Sequence, residues 1–343
     1  MKLSKKLIPW YLENEKRLPW REDPTPYHVW ISEIMLQQTR IEAVIPYYRR
    51  FLSAFPTVAH LAAADDDLLM KCWEGLGYYS RARNLKRAAQ EIMTAHGGVL
   101  PETAEELARL PGIGPYTAGA IASIAFGKPS PAVDGNVFRV VTRLLLDGTD
   151  IAKPEARRRV TEFLRGEYPE EGSGCRHFTQ ALMELGQDVC IPVGAPKCDI
   201  CPLREACGAK REGRQSEFPV RAPKAQRRIE EKTVLLFRAG RRYALRRREE
   251  TGLLAGMWEL PNFEGWLSPE DALAVAEGYG LSPIGITPLG EGKHIFTHIE
   301  WHMRGYLVEC ARESDAFPFV AAAEIADGYA IPSAFRAYRK YIE

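Results

Sequence analysis

The sequence predicts a two-domain protein: an all-α part over residues 1–209, then a smaller α+β domain. Three observations carry this. At 343 residues the chain is long enough for two domains of roughly 100–200 residues each. From Leu3 to Val189 apolar residues recur at helical spacing between turn signals. After a polar, basic stretch holding Pro219 and Pro223, the texture changes to hairpins and strict alternation. Hydrophobic content of 45% and charged content of 27% are those of an ordinary globular protein. The formal net charge of +1 gives no sign of a nucleic-acid partner, so any such surface must be a local patch. No apolar run reaches the ~18 residues of a membrane helix, and Met1–Asn14 lacks the apolar core of a secretory signal. Seven cysteines, four of them crowded between Cys190 and Cys207, suit a reducing compartment, and the chain is read as cytoplasmic.

Taken in order, Leu3, Leu7, Trp10 and Tyr11 mark a short N-terminal helix. Leu18-Pro19-Trp20-Arg21 follows, where Trp20 fits either a core plug or, with Arg21, a wall for a flat ligand. Tyr27–Arg40 reads as one helix. Within it Glu33 is the odd residue, and an edge position would let it snorkel to water. Walled by Trp30, Ile31 and Met35, its ionised form would be disfavoured and its pKa raised toward a general acid's range. Gln37-Gln38-Thr39 sets three polar groups where a core helix would carry leucine. Further helices are expected over 43–55, 65–73 and 84–95. Gly75 to Asn84 interleaves glycines with Tyr78, Tyr79, Arg81 and Arg83, a pattern for phosphate and base contact or for a Gly-rich turn with packed tyrosines.

Residues 104–110 and 116–126 read as two helices joined by Pro111-Gly112-Ile113-Gly114. Both glycines admit positive φ, and the N–H groups opening the second helix would hold one phosphate. Asp134-Gly135-Asn136 opens another helix, with Val137, Val140, Val141 and Leu144 on its buried stripe. Asp134 fits an N-cap and equally a carboxylate exposed to a groove.

A helix over 181–189 leads into Cys190-x7-Cys198-x2-Cys201-x5-Cys207. One Cys-x2-Cys knuckle with two outlying cysteines departs from the paired knuckles of a zinc ribbon and favours a [4Fe–4S] cluster. Arg204 and Lys210 add positive charge beside it. Residues 210–231 are expected to be a linker. Beyond it, Thr233–Phe237 and Tyr243–Leu245 read as a hairpin, Ser268 caps a helix through Glu277, and Ile295–Leu307 alternates as a strand.

These motifs in this order resemble the adenine DNA glycosylases of the MutY type, within the helix-hairpin-helix DNA repair superfamily. The resemblance spans nearly the whole chain and rests on six features in the family's order. They are Leu18–Arg21, Ser32–Thr39, Gly75–Tyr79, Leu110–Gly114, Val133–Asn136 and the cysteine cluster. It implies an all-α helix-hairpin-helix glycosylase with an iron–sulfur loop, followed by an α+β Nudix-like domain. It divides the chain into a six-helix lobe over about 24–129 and a lobe built from the N-terminal helix with 130–209. The linker then spans 210–231 and the 8-oxoguanine recognition domain 232–343. The implied activity is hydrolysis of the N-glycosidic bond of adenine mispaired with 8-oxoguanine or guanine. The implied partner is duplex DNA, met by a monomer.

The resemblance also implies roles. Glu33 matches the acid that protonates adenine N7, and Asp134 the carboxylate that stabilises or traps the sugar cation, the division of labour of glycoside hydrolysis. Tyr116 and Asn136 match the residues that orient these two. Leu18, Trp20, Arg21, Gln38 and Gln180 match the adenine pocket. Gln37, Gln38, Thr39, Tyr78, Arg81, Gly112, Ile113 and Gly114 match DNA contacts. Tyr78 matches the wedge beside 8-oxoguanine, and Phe296, Thr297 and His298 the loop that senses the lesion. Cys190, Cys198, Cys201 and Cys207 match the cluster ligands.

Two departures stand out. Seven residues separate Cys190 from Cys198 where the family has six, and Thr297 replaces the usual serine. The endonuclease III branch, pyrimidine glycosylase/AP lyases, is the alternative reading. Its Schiff-base lysine has no counterpart here, because no lysine stands between Pro111 and Lys128. A nucleotide pyrophosphatase is disfavoured because Gly256–Pro261 resembles the entry to a Nudix box without the acidic run that should follow.

Overall fold

The structure is a computed structural model that describes residues 2–222 and 226–343. The chain forms two compact units. One holds Met1–Ala63 with Arg83–Pro223; the other holds Lys224–Glu343 together with Ala64–Ala82. The expected all-α part therefore contributes one segment to the second unit. Among the described residues no helix is long and apolar enough to cross a membrane.

The first unit is helical throughout. Leu7 and Tyr11 of the Ser4–Asn14 helix enter a core shared with Val137, Val141, Phe178 and Leu182. The helix expected over 27–40 runs only from Pro26 to Leu36. Gln38 has a φ of 58°, a left-handed conformation no helix accepts, so Gln37-Gln38-Thr39 forms a loop. The Pro115–Ile124 helix is rich in Ala and Gly because it is packed closely: a Cβ at Gly119 would lie 2.4 Å from the Pro131 carbonyl oxygen. Asp134 caps Gly135–Leu145, its Oδ1 accepting from the Val137 N–H at 2.7 Å. The expected 181–189 helix proves to be the end of an α-helix, Ser173–Glu184, and a π-helical turn, Leu185–Val189. Most of the expected linker is ordered. Gly208–Glu212 is helical, Gln215–Glu217 is a 3-10 turn, and Phe218 is buried with Arg143 donating to its carbonyl. Pro223 lies outside the described residues.

In the second unit the strands are β1 (Arg228–Ala239), β2 (Arg242–Ala244), β3 (Arg246–Arg247), β4 (Trp258–Glu259), β5 (Asn262–Glu264), β6 (Pro283–Ile295), β7 (Ile299–Cys310) and β8 (Phe319–Ala321). The main sheet runs β6-β7-β1-β2-β8, with β5 also on β1. The expected hairpin is β1–β2, paired through Arg238 and Tyr243. β1 and β7 pair in parallel, and such strands are covered on both faces. Val234 and Leu236 pack with Trp301, Phe335 and Tyr338 on one side; Leu235 and Phe237 pack with Ala272 and Ala276 of the Pro269–Gly278 helix on the other. The alternation from Ile295 to Leu307 does not mark one strand, because Phe296-Thr297-His298 turns the chain from β6 into β7. The Asp66–Trp73 helix is bound to this unit by specific contacts. Trp258 Nε1 donates to Asp67 at 3.2 Å, Lys71 Nζ donates to the Tyr329 carbonyl, and Glu74 accepts from the Ile331 N–H and from Arg339.

Candidate active site

A cavity of about 200 Å³ opens in the helical unit, lined by residues from six α-helices and the π-helical turn. The Pro26–Leu36 helix contributes Glu33, and the start of Pro115–Ile124 contributes Tyr116. The N-terminus of Gly135–Leu145 contributes Asp134 and Asn136, the short Pro19–Glu22 turn with its cap contributes Leu18, Trp20 and Arg21, and Ser173–Glu184 contributes Gln180. Eight residues assigned from the sequence to catalysis or the adenine pocket thus meet here. Gln38 is exposed on its loop and does not line the cavity.

Glu33 is 6% exposed and its Oε2 accepts the Tyr116 hydroxyl at 2.6 Å. Burial pushes its pKa up to about 7; the Tyr116 hydrogen bond and Arg21 oppose the rise, while the charge of Asp134 adds to it. Burial also raises Asp134, against the Val137 N–H and the Asn136 amide, which donates to Oδ2 at 2.8 Å. The Asp134 side chain is only half-buried by surface exposure, so its carboxylate can meet a ligand in the cavity. Asn136 is itself held, its Oδ1 accepting from Arg139 Nη2 at 2.8 Å. Arg139 continues to the Gly186 and Cys190 carbonyls, linking this site to the π-helical turn and the cysteine loop. Sequence reading missed two members of the site: Glu184, buried beside Arg21, and Arg139. Both sit on helical faces that read as ordinary amphipathic patterning.

At the hairpin only Gly112 takes positive φ, 76°; Gly114 is extended and caps Pro115–Ile124. The Ile113 side chain is buried, so this hairpin offers backbone N–H groups rather than a side chain. Gln37 Nε2 donates to Thr117 Oγ1 at the same helix end. Arg81, expected at DNA, is instead buried: its guanidinium donates to the Leu76 and Gly77 carbonyls and lies over the Trp73 and Tyr78 rings. Tyr78 is 45% exposed with a φ of 49°. Within the same unit its hydroxyl lies 3.4 Å from that of Thr297, while Phe296 packs edge-on against Trp301 and His298 is exposed.

Cys190, Cys201 and Cys207 pack on one core, and burial, with charge from Cys190, Cys207 and Cys198 adding to it, pushes Cys201 up to about 11. Four mutually repelling, partly buried thiols fit a group that would bind them all as thiolates. Among the described residues no set of three His, Cys, Asp or Glu side chains closes on a metal-ion site. Arg143 Nη1 donates to Cys190 Sγ at 3.3 Å, and the extra residue of the Cys190–Cys198 loop lies in exposed chain. In the second unit Glu259, where a Nudix box would begin, is buried between Arg246 and Arg248 at 2.7 Å from each.

Residues 31–165 match the model of the HhH-GPD superfamily base excision DNA repair proteins, and residues 233–341 match the NUDIX domain model. An adenine DNA glycosylase of Rattus norvegicus is 34% identical over 86% of this chain and 68% of its own length. One from Buchnera aphidicola is 30% identical over 92% of this chain and 88% of its own. A solved endonuclease III–DNA complex is 25% identical, with a TM-score of 0.51 over 61% of this chain and 94% of that one. The chain belongs to the adenine DNA glycosylase family.

Proposed function

We propose that this chain hydrolyses the N-glycosidic bond of adenine opposite 8-oxoguanine, or guanine, after the nucleotide is flipped from duplex DNA into the cavity. The observation that carries the reading is Glu33: a buried carboxyl with a pKa near 7, held by Tyr116 in the same cavity as Asp134. In its protonated form Glu33 donates to N7 of the adenine. The C1′–N9 bond then breaks, with its electron pair leaving on the base. Asp134 faces the positive charge left at C1′, and a cation there favours its ionised form. Water adds to C1′ and its proton passes to the Glu33 carboxylate, restoring the acid.

The lesion reading rests on Tyr78 and Thr297, whose hydroxyls lie together in one unit with Phe296 and His298 beside them. We assign a [4Fe–4S] cluster to Cys190, Cys198, Cys201 and Cys207, which would hold it as thiolates and would fix the loop by ligation; Arg143 donates to Cys190 Sγ. Such a cluster suits the reducing cytoplasm. The lyase alternative has no lysine at the start of Pro115–Ile124 to support it.

Single-turnover base release tests the proposal on 8-oxoguanine:A, G:A and thymine-glycol:A duplexes. Fast release from the first, slower release from the second and none from the third is the expected pattern; pyrimidine excision alone would move the chain to the alternative. Glu33→Gln should abolish adenine release while duplex affinity stays within about threefold of the parent, since the substitution leaves the phosphate-contacting surface unchanged. Release at the parent rate would remove Glu33 from its role.

A further inference from the structure

The Asp66–Trp73 helix has two faces of different character. Leu69, Met70, Cys72 and Trp73 are buried. Asp67, Lys71 and the capping residue Glu74 form a charged stripe at helical spacing, and such a stripe ordinarily faces water. Here each member bonds instead to the sheet-containing part of the chain, at Trp258, Tyr329, Ile331 and Arg339. Glu74 is the most engaged of the three. Its side chain is 15% exposed, and its Oε2 pairs with Lys71 Nζ at 2.9 Å. Its Oε1 accepts from the Ile331 N–H at 3.2 Å and from Arg339 Nη1. A carboxylate this sheltered is screened less by salt than one on the surface. Its loss would take an acceptor from a guanidinium and from a backbone N–H together.

Glu74 stands directly before the turn that presents Tyr78, and that turn is stiff. Gly75, Gly77 and Tyr78 all have left-handed φ, at 99°, 70° and 49°. Trp73 Nε1 donates to the Gly77 carbonyl at 3.1 Å, and Arg81 donates to the Leu76 and Gly77 carbonyls. A turn fixed from within moves with its base. On the other side of the tether, Ile331 is buried in the core that holds Trp301 and Phe335, and Phe296 packs against the same core. We propose that Glu74, through Arg339 and Ile331, is a positioning residue for telling 8-oxoguanine from guanine. It fixes Tyr78 relative to Thr297, whose hydroxyls lie 3.4 Å apart, without touching the base itself. This rests on the lesion reading given above. The two bases differ only at C8 and N7, where the lesion carries a carbonyl and an N–H. Hydrogen bonds that sense so small a difference weaken steeply with distance and angle, so their donors and acceptors must share one rigid frame. Adenine release opposite guanine, which offers neither group, does not depend on that frame.

The test measures single-turnover adenine release from 8-oxoguanine:A and G:A duplexes by the parent, Glu74→Gln, Arg339→Met, the double variant and Arg339→Lys. Each of Glu74→Gln and Arg339→Met should lower the ratio of the two rates roughly three- to tenfold, the range of coupling between contacting residues. Their release from G:A should stay within about twofold of the parent, which also shows that they fold. The double variant should lose no more than either single one, since both break one tether. Arg339→Lys keeps a cation for Glu74 and should retain most of the ratio. An unchanged ratio in both single variants would overturn the proposal. Equal slowing on both duplexes would do so too, leaving Glu74 as a support of the fold. Losses that simply add in the double variant would show two separate roles and no tether.

A second readout needs neither DNA nor turnover. With 3-fluorotyrosine at position 78, the fluorine resonance should shift or broaden in Glu74→Gln and Arg339→Met and return toward the parent position in Arg339→Lys. One resonance common to all four proteins would overturn the proposal. A parent that releases no adenine from either duplex would instead sink the adenine reading on which this inference stands. A parent with a clear preference for 8-oxoguanine:A that Glu74→Gln retains would sink the inference alone.

Discussion

At the scale of single residues the decisive quantity is the proton on Glu33. Its pKa stands at about 7 because burial disfavours the anion, and that has a consequence for stability. A carboxyl whose folded pKa is raised stabilises the fold below its unfolded pKa, near 4.5, and loses that contribution as pH rises through about 7. Glu33→Gln removes the ionisable group, so the variant should melt above the parent at pH 8, with the gap shrinking toward pH 5. The expected gain is on the order of 2–3 kcal/mol at most. Equal melting temperatures at pH 8 would show that Glu33 is ionised at no cost. The residue was legible in the sequence as a carboxylate among Trp30, Ile31 and Met35, and its burial follows from that neighbourhood. Its partner was not: Tyr116 is 83 positions away, and only the crossing of two helices brings the hydroxyl to 2.6 Å.

At the scale of elements, two glycines set the site. Gly186 belongs to the π-helical turn, and a Cβ there would lie 2.5 Å from Cβ of Asn136. π-turns often occur at functional sites, and this one brings its backbone against the residue that holds Asp134. Gly186→Ala should therefore displace Asn136 and cut adenine release by roughly tenfold or more, since about 1 Å of misplacement near reacting groups is enough for such losses. Unchanged release would show that Asn136 does not position Asp134.

The second glycine is Gly112, with a φ of 76° and an added Cβ only 2.6 Å from Asn84 Cβ. Gly112→Ala should destabilise the fold by roughly 1–3 kcal/mol and weaken duplex binding, read together by thermal melting and a binding titration. A variant that binds and melts like the parent would remove the hairpin from the DNA contact. The hairpin itself was evident from Pro111-Gly112-Ile113-Gly114. The π-turn was not, because an extra residue per turn leaves the apolar spacing of 181–189 looking helical.

For the whole molecule the informative segment is Ala64–Ala82, which joins the sheet-containing unit although it lies inside the helical part of the sequence. Asp67, Lys71 and Glu74 make directional bonds to Trp258, Tyr329, Ile331 and Arg339. The same segment carries Tyr78, which approaches Thr297. Ending the chain at residue 222 would strip those partners away. The truncated protein should still release adenine, lose most of its preference for 8-oxoguanine:A over G:A, and become less soluble as the partners of Asp67 and Glu74 vanish. An undiminished ratio of the two release rates would assign lesion reading to the helical unit alone.

By itself the sequence determined the two architectures, the hairpin, Glu33 and Asp134 as candidate carboxyls, and the four clustered cysteines. Each of these is a local pattern: a period, a turn signal or a spacing. It left open what depends on how the chain packs. Arg81 is buried and donates to the Leu76 and Gly77 carbonyls, Gln38 is exposed and does not line the cavity, and much of the 210–231 stretch is ordered because Phe218 and Arg143 pack it down. Only the tertiary structure decided that Glu184 is buried against Arg21 beside the cavity and that Glu184 Oε2 is left without a hydrogen-bond partner. Whether a buried polar atom has a partner depends on every element packed around it, and no sequence period encodes that.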